Sequence, residues 1–236
     1  MDQKQNVRLY AADLKKTEYD YDYWYSIMPE DRVRKIDRFR FDDDKRRGVL
    51  GWALICTALF DVAGLSAGYV AKNVYSSEKG KMYIHLEQSD SGKEIYFNIA
   101  HADNMVICAV SDSEVGCDVE NKNCDGLQIA ERFFAHNEYE YLKCVGKECV
   151  SKEFLRIWTL KEAFVKSLGD GLQFPFDKVS FVDENNRFYD YVEYDGQKYL
   201  MWQTNFEDGY FAAVCIKGNT CSYISVDVKY LFVLKG

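Results

Sequence analysis

Hydrophobic and polar positions repeat along this chain with two different periods, and the switches between them mark out its elements. Val7 to Leu14 reads Val-x-Leu-x-Ala, a two-residue period that predicts an opening strand. An aromatic, acidic segment from Tyr19 to Tyr25 follows, and Pro29-Glu-Asp31 then offers a helix start. Asp42-Asp-Asp44 supplies an N-cap and a dipole-matched first turn for a helix to about Phe60, whose core positions are Val49, Leu50, Trp52, Ala53, Ile55, Cys56 and Leu59. Glu78-Lys-Gly-Lys-Met82 reads as a turn before a strand. Ile95 to Ala100 and Met105 to Ser111 predict two strands around a hairpin-like corner, His101-Ala-Asp-Asn104.

The order then repeats. Gly116-Cys-Asp-Val-Glu120 alternates like a strand, and Gln128 to Val145 predicts a helix with Ile129, Phe133 and Phe134 inward. Ser151 to Leu168 predicts a second helix, with Ser151 as cap, Glu153 in the first turn, and Phe154, Leu155, Trp158, Phe164, Val165 and Leu168 as apolar positions before Gly169. Alternation resumes at Lys178 to Val182, Phe188 to Tyr194, Tyr199 to Asn205, Tyr210 to Lys217 and Tyr223 to Leu234, with Asp195-Gly196 as a hairpin turn. This reads as an antiparallel meander. The expected fold class is therefore α+β: two similar halves, residues 1–112 and 113–236, each an antiparallel sheet packed on helices, with pseudo-two-fold symmetry between them.

Composition narrows the function more than the fold. A chain of 236 residues with 47% hydrophobic and 29% charged residues is ordinary for a soluble globular protein. Its net charge of −8 argues against a general nucleic-acid or anionic-membrane binder, both of which need a basic surface. Any phosphate site must be a local exception. The cysteines at 56, 108, 117, 124, 144, 149, 215 and 221 form no tight Cys-x-x-Cys pair, so neither a zinc ribbon nor a redox dithiol is indicated. With no signal-peptide pattern and no apolar span of bilayer length, they read as reduced thiols of a cytoplasmic, monomeric protein.

The chemistry concentrates on the two segments that follow the midpoint. Asp118 and Glu120 are two apart, which in an extended chain puts both carboxylates on one side. Glu162 and Lys166 are four apart and share a helix face. If strand and helix pack together, Asp118, Glu120 and Glu162 converge with a lysine beside them, a hard-cation site with open positions for phosphate oxygens. The alternative is a solvated Glu162–Lys166 salt bridge and an exposed Asp-x-Glu, but the setting among Trp, Leu, Phe and Val makes unpaired charge costly.

These motifs, in this order, also carry a resemblance. Gly-Cys-Asp-Val-Glu, then Arg132-Phe-Phe134 and Glu138-Tyr139, then Trp158-Thr-Leu-Lys-Glu-Ala-Phe-Val-Lys166 resemble the 4′-phosphopantetheinyl transferases of the surfactin-synthetase-activating type. Phe97-Asn-Ile-Ala-His101 with Val106-Ile-Cys-Ala109, and Gly169-Asp-Gly171-Leu172, extend the likeness to roughly residues 25–180. The family is built of two such halves. The resemblance implies transfer of 4′-phosphopantetheine from coenzyme A to a serine of an apo acyl or peptidyl carrier protein, with release of 3′,5′-ADP. It implies Mg²⁺, or Mn²⁺, on Asp118, Glu120 and Glu162, with Asp118, Glu162 and Lys166 as the catalytic set.

It also implies contacts to coenzyme A. Arg32 and Lys35, in a basic stretch that is otherwise a solvated helix face, correspond to positions facing the 3′-phosphate. Arg47 matches a phosphate-contacting arginine, with a salt bridge to the aspartates as the alternative. Lys81 lies in a loop similar to the family's Gly-Lys-Pro, with Met82 replacing the proline, and His101 matches a phosphate-contacting histidine, although Ala100 replaces the usual hydroxyl residue. Lys161, about 100° from Glu162 around the helix, takes a phosphate or structural role. The segment from Asn121 to Tyr141 corresponds to the carrier-docking surface. Competing readings are a metal-dependent pyrophosphate hydrolase, which would consume coenzyme A without a carrier, and a non-catalytic carrier-binding module. A Cys–His nucleophile built on His101 lacks an orienting partner by spacing.

Overall fold

The computed structural model describes residues 3–76, 82–85, 94–121, 126–169, 174–206, 209–218 and 222–235. The chain forms two compact units, one of Asn6–Ser113 with Val226–Gly236, the other of Met1–Gln5 with Glu114–Ser225. The last stretch of chain thus belongs with the N-terminal unit, where the sequence reading kept residues 113–236 together.

In the N-terminal unit the strands are β1 (Gln3–Asp13), β2 (Glu18–Tyr19), β3 (Val74–Ser76), β4 (Met82–His85), β5 (Glu94–Ala102) and β6 (Met105–Ser111), and the helices are α1 (Tyr21–Ser26), α2 (Glu30–Asp37), α3 (Asp42–Ala63) and α4 (Ala67–Asn73). β6 is buried at every position and pairs antiparallel with both β1 and β5, which makes it the centre of the sheet. α3 covers that sheet with a face so apolar that Val49, Leu50, Trp52, Ala53, Leu54 and Ile55 are all fully buried. Asp42, Asp43 and Asp44 occupy its first turn, but the N-cap is Phe41 and carries no side-chain cap bond; the negative charges act on the helix dipole instead. Gly64 closes the helix at φ 67°, a left-handed conformation that a glycine adopts without strain.

The C-terminal unit holds β7 (Val115–Glu120), α5 (Leu127–Phe133), α6 (His136–Cys144), α7 (Lys147–Leu168), β8 (Tyr191–Tyr194), β9 (Gln197–Asn205) and β10 (Phe211–Gly218), the strands ordered β7-β10-β9-β8 and all antiparallel. Asp195 and Gly196, both at positive φ, turn β8 into β9. α7 lies against this sheet with Leu160, Ala163, Phe164 and Val165 on Met201, Ala213 and Cys215, while Phe154, Leu155 and Ile157 pack toward α5 and α6. Its buried hydroxyls are satisfied internally, Thr159 by the Leu155 carbonyl at 3.0 Å and Ser167 by that of Phe164 at 2.7 Å.

Four further expectations change here. α7 begins a turn earlier than Ser151, with Gly146 at the N-cap, because Ser151 is tolerated inside the helix. The segment 128–145 is two helices, broken where Phe134 turns extended and stacks on Phe154 at 5.2 Å. Lys178 to Val182 is not a strand: a short 3₁₀ turn, Phe176–Lys178, ends at its first residue, and Val182 makes a single bridge to Phe188. Finally, Tyr223 to Leu234 is two strands, β11 (Ser222–Tyr230) and β12 (Val233–Leu234). β11 adds to the six-stranded sheet beside β1, and β12 pairs parallel with β2.

Candidate active site

The site in the C-terminal unit begins with a glycine. A Cβ on Gly116 would sit 2.1 Å from the Ala163 carbonyl oxygen and 2.4 Å from the Ser167 nitrogen, so the β7 backbone lies directly on the α7 backbone. Because side chains alternate along a strand, Gly116, Asp118 and Glu120 share the side that faces α7. On α7, Glu162 and Lys166 lie one turn apart and share a face.

Lys166 Nζ donates to Asp118 Oδ1 at 2.6 Å. Asp118 is 5% exposed, and its second oxygen, Oδ2, is buried without a hydrogen-bond partner. Burial pushes the Asp118 carboxyl above the usual carboxylate range, and the Lys166 charge offsets this only in part. Burial works against the Lys166 ammonium too, but the charge and hydrogen bond of Asp118, with smaller contributions from Cys117 and Glu162, together outweigh it and Lys166 is left raised. Glu162 is raised first by burial and then by the charge on Asp118. The structure therefore brings together Asp118, Glu162 and Lys166. Glu120 ends β7, half-buried. Among the described residues no group of three or more carboxylates, imidazoles and thiols is close enough to hold a metal ion, so the expected convergence of three carboxylates is met by two and an ammonium. The donor set still fits a hard divalent cation. An orphaned carboxylate oxygen and two mutually repelling carboxyls are what such an ion relieves.

Lys161 does not belong with the phosphate contacts. It is 1% exposed, and its three N–H groups go to the carbonyls of Phe176 at 2.7 Å and Val179 at 2.8 Å and to Glu138 Oε2 at 2.7 Å. No donor is left for a ligand. Its partner Glu138, 0% exposed on α6, was missed in the sequence as anything but a motif letter; a glutamate among aromatic residues is the signal that could have found it. Gly116 was missed as a clearance device, although a glycine inside an otherwise apolar strand marks close backbone approach.

The basic candidates lie in the N-terminal unit. The Arg32 guanidinium lies over the Trp52 ring, 5.1 Å from its centroid, and touches the Met82 sulfur. Burial lowers its pKa, yet a guanidinium stays charged near neutrality. Lys35 is exposed on α2, and His101 is exposed near the end of β5, opposite Val106. Arg47 donates to the Asp103 carbonyl at 2.6 Å and pairs with Asp44, so it ties the start of α3 to the β5–β6 turn; its Nε is buried without a partner. The salt bridge read as its alternative role is present. Lys81 lies outside the described residues, as do residues 170–173 of the glycine-rich segment.

Comparison with known proteins covers both units. A family profile described as the 4′-phosphopantetheinyl transferase superfamily matches residues 114–215, and one described as its N-terminal part matches residues 15–113. The 4′-phosphopantetheinyl transferase psf-1 of Bacillus pumilus is 34% identical over 169 residues, 71% of this chain and 69% of that protein. The transferase HetI of a Nostoc species is 32% identical over 169 residues, 70% of each, and the transferase gsp of Aneurinibacillus migulanus is 26% identical over 209 residues, 87% of this chain and 83% of that protein. The chain belongs to the 4′-phosphopantetheinyl transferase family, of the type represented by these enzymes.

Proposed function

We propose that this enzyme moves the 4′-phosphopantetheine group of coenzyme A onto a serine of an apo acyl or peptidyl carrier protein and releases 3′,5′-ADP. The cluster of Asp118, Glu162 and Lys166, set by the contact of β7 with α7, supports this reading most directly. The serine Oγ attacks the phosphorus that carries the pantetheine arm, the bond from that phosphorus to the bridging oxygen of the pyrophosphate breaks, and the bridging oxygen leaves with ADP. Glu162, whose carboxyl is held above its ordinary range, takes the serine proton, itself or through one water. Lys166 neutralises charge that develops on the departing phosphate.

Asp118 and Glu162 are the residues that would hold Mg²⁺ or Mn²⁺, with Glu120 at the end of β7 as the third ligand, drawn in by the ion. A bound ion would supply charge neutralisation at the pyrophosphate oxygens. Arg32, Lys35, Arg47, Lys81 and His101 are the candidates for the nucleotide phosphates. Arg32 and Lys35 are assigned to the 3′-phosphate, where a guanidinium already stacked on Trp52 binds with little loss of freedom. The carrier is placed on α5, where Ile129 and Phe133 are 36% and 53% exposed instead of facing the core. We assign the enzyme to the cytoplasm as a monomer; the free thiols of Cys56, Cys144 and Cys149 support a reducing compartment.

The test is mass spectrometry of a panel of apo carrier proteins after incubation with the enzyme, coenzyme A and Mg²⁺. A gain of one phosphopantetheine, absent with Glu162→Gln, supports the reading and identifies the client. Consumption of coenzyme A with no carrier present would instead identify a pyrophosphate hydrolase.

A further inference from the structure

The ion pair of Glu138 and Lys161 lies outside the cluster of Asp118, Glu162 and Lys166, yet it connects to that cluster through a single helix. Lys161 immediately precedes Glu162 on α7. Every polar atom of the pair is in use. The ammonium is bound by Glu138 Oε2 and by the carbonyls of Phe176 and Val179, and it lies 5.1 Å and 5.3 Å from the rings of Phe134 and Phe181. Glu138 in turn accepts the N–H of Phe181 on Oε1 at 2.8 Å and that of Ala135 on Oε2 at 3.0 Å. Three pieces of chain therefore meet at one point: the start of α6, the middle of α7, and the segment 176–181.

The geometry of a helix turns this into control of the site. Successive residues are about 100° apart around the axis, so a Lys161 held by three directional bonds sets the direction in which Glu162 and Lys166 point. The contact of Gly116 with the Ala163 and Ser167 backbone sets how closely the helix lies on β7. A close backbone contact is less directional about the helix axis than three hydrogen bonds. Stability alone does not account for the pair, because a buried ion pair replaced by apolar groups of similar volume is often neutral or stabilising.

We propose that Glu138 and Lys161 are a positioning pair for phosphopantetheine transfer, setting the rotation of α7 so that Glu162 and Lys166 face Asp118. The pair touches no substrate and acts through its neighbours. This inference rests on the transferase reading above, so transfer by the unaltered enzyme, lost with Glu162→Gln, is measured first; failure there would count against that reading and not against the pair.

Two variants then test the pair. Glu138→Asp keeps the charge but shortens the reach by one methylene, and the double change Glu138→Leu with Lys161→Met removes the charges at similar volume. For each, the thermal midpoint, the kcat per folded molecule and the KM for coenzyme A are measured. The expected result is kcat lowered about tenfold or more with the KM for coenzyme A changed less than about twofold, since a displacement of about 1 Å at reacting groups costs on the order of 100-fold. A lowered midpoint with kcat unchanged in the folded molecules would make the pair structural and overturn the proposal. If Glu138→Asp does not fold, the double variant is read in its place. If neither folds, the pair holds the fold rather than the site, and the proposal is overturned as well.

Discussion

Gly116 and Ala163 meet backbone to backbone: a Cβ on the glycine would lie 2.1 Å from the alanine carbonyl oxygen. Neither a strand laddered to β10 along its length nor the body of a 22-residue helix can move aside cheaply. Gly116→Ala is expected to destabilise the protein by about 3 kcal/mol, the upper end of ordinary overpacking, and to lower transfer further by separating Asp118 from Lys166. Gly68→Ala is the control. Gly68 lies in α4, where an added methyl would have nothing within 4 Å, and there the change should stabilise by about 0.5–1 kcal/mol through helix propensity. Urea unfolding of both variants measures the contrast, and equal effects would remove the clearance role of Gly116.

Glu162 sets the stability of the metal-free protein against its activity. Its carboxyl is raised by burial and by Asp118, so the folded state holds the proton more tightly than the unfolded chain does. For an acid raised in this way, stability falls as pH rises from the unfolded pKa of about 4.3 through the folded one. Glu162→Gln removes that loss. With EDTA present, the variant should have a higher urea midpoint than the parent at pH 7 to 8, and the difference should shrink as pH drops toward 4, while transfer falls about 100-fold or more. A variant no more stable than its parent at pH 8 would contradict the electrostatic picture of the site.

How much of this was legible in the sequence depended on range. The apolar spacing of α7 and the alternation of β7 are local, and they put Glu162 with Lys166 on one helix face and Asp118 on a strand beside them, where Lys166 binds it. Lys161 stays open between a phosphate and a structural role in the sequence because a helical wheel gives a direction but not what is packed there; its partner Glu138 lies on another helix, and of the two carbonyls it binds, that of Val179 lies in a segment that reads as a strand and that of Phe176 just before it. The break between α5 and α6 has neither glycine nor proline to mark it. It exists because Phe134 is pulled onto Phe154 and because Glu138 binds the Ala135 N–H. Alternation showed that 223–234 is extended, but not which sheet would take it.

The cysteines should divide by reactivity. Burial pushes the Cys56 thiol up to about 12, so at pH 8 almost none of it is thiolate, the reactive form. Cys144 and Cys149 are exposed at the end of α6 and the beginning of α7. Brief treatment with iodoacetamide at pH 8, followed by peptide mass spectrometry, should modify Cys144 and Cys149 and leave Cys56 unmodified until denaturant is added. Modification of Cys56 as fast as Cys149 would mean that α3 opens readily.

The docking surface gives the last prediction. Leu127 is partly buried against the cluster of Phe134, Phe154 and Leu155, so a charge there would disturb the fold as well as any partner. Phe133 projects from the same helix at 53% exposure, and Ile129, one turn earlier, adds to the same apolar patch at 36%. Truncating an exposed ring costs the fold little, within about 0.5 kcal/mol, whereas a ring that a partner covers is the kind of residue that carries binding energy. Phe133→Ala should therefore raise the carrier KM roughly tenfold, equivalent to about 1.4 kcal/mol, with the KM for coenzyme A and the urea midpoint nearly unchanged. Docking through apolar side chains also predicts weak salt dependence. Raising salt from about 0.05 to 0.3 M shortens the Debye length from roughly 14 to 6 Å, and kcat/KM for the carrier should fall less than about threefold. A silent Phe133→Ala, or a salt effect of orders of magnitude, would move the docking surface away from α5 and onto a charged patch.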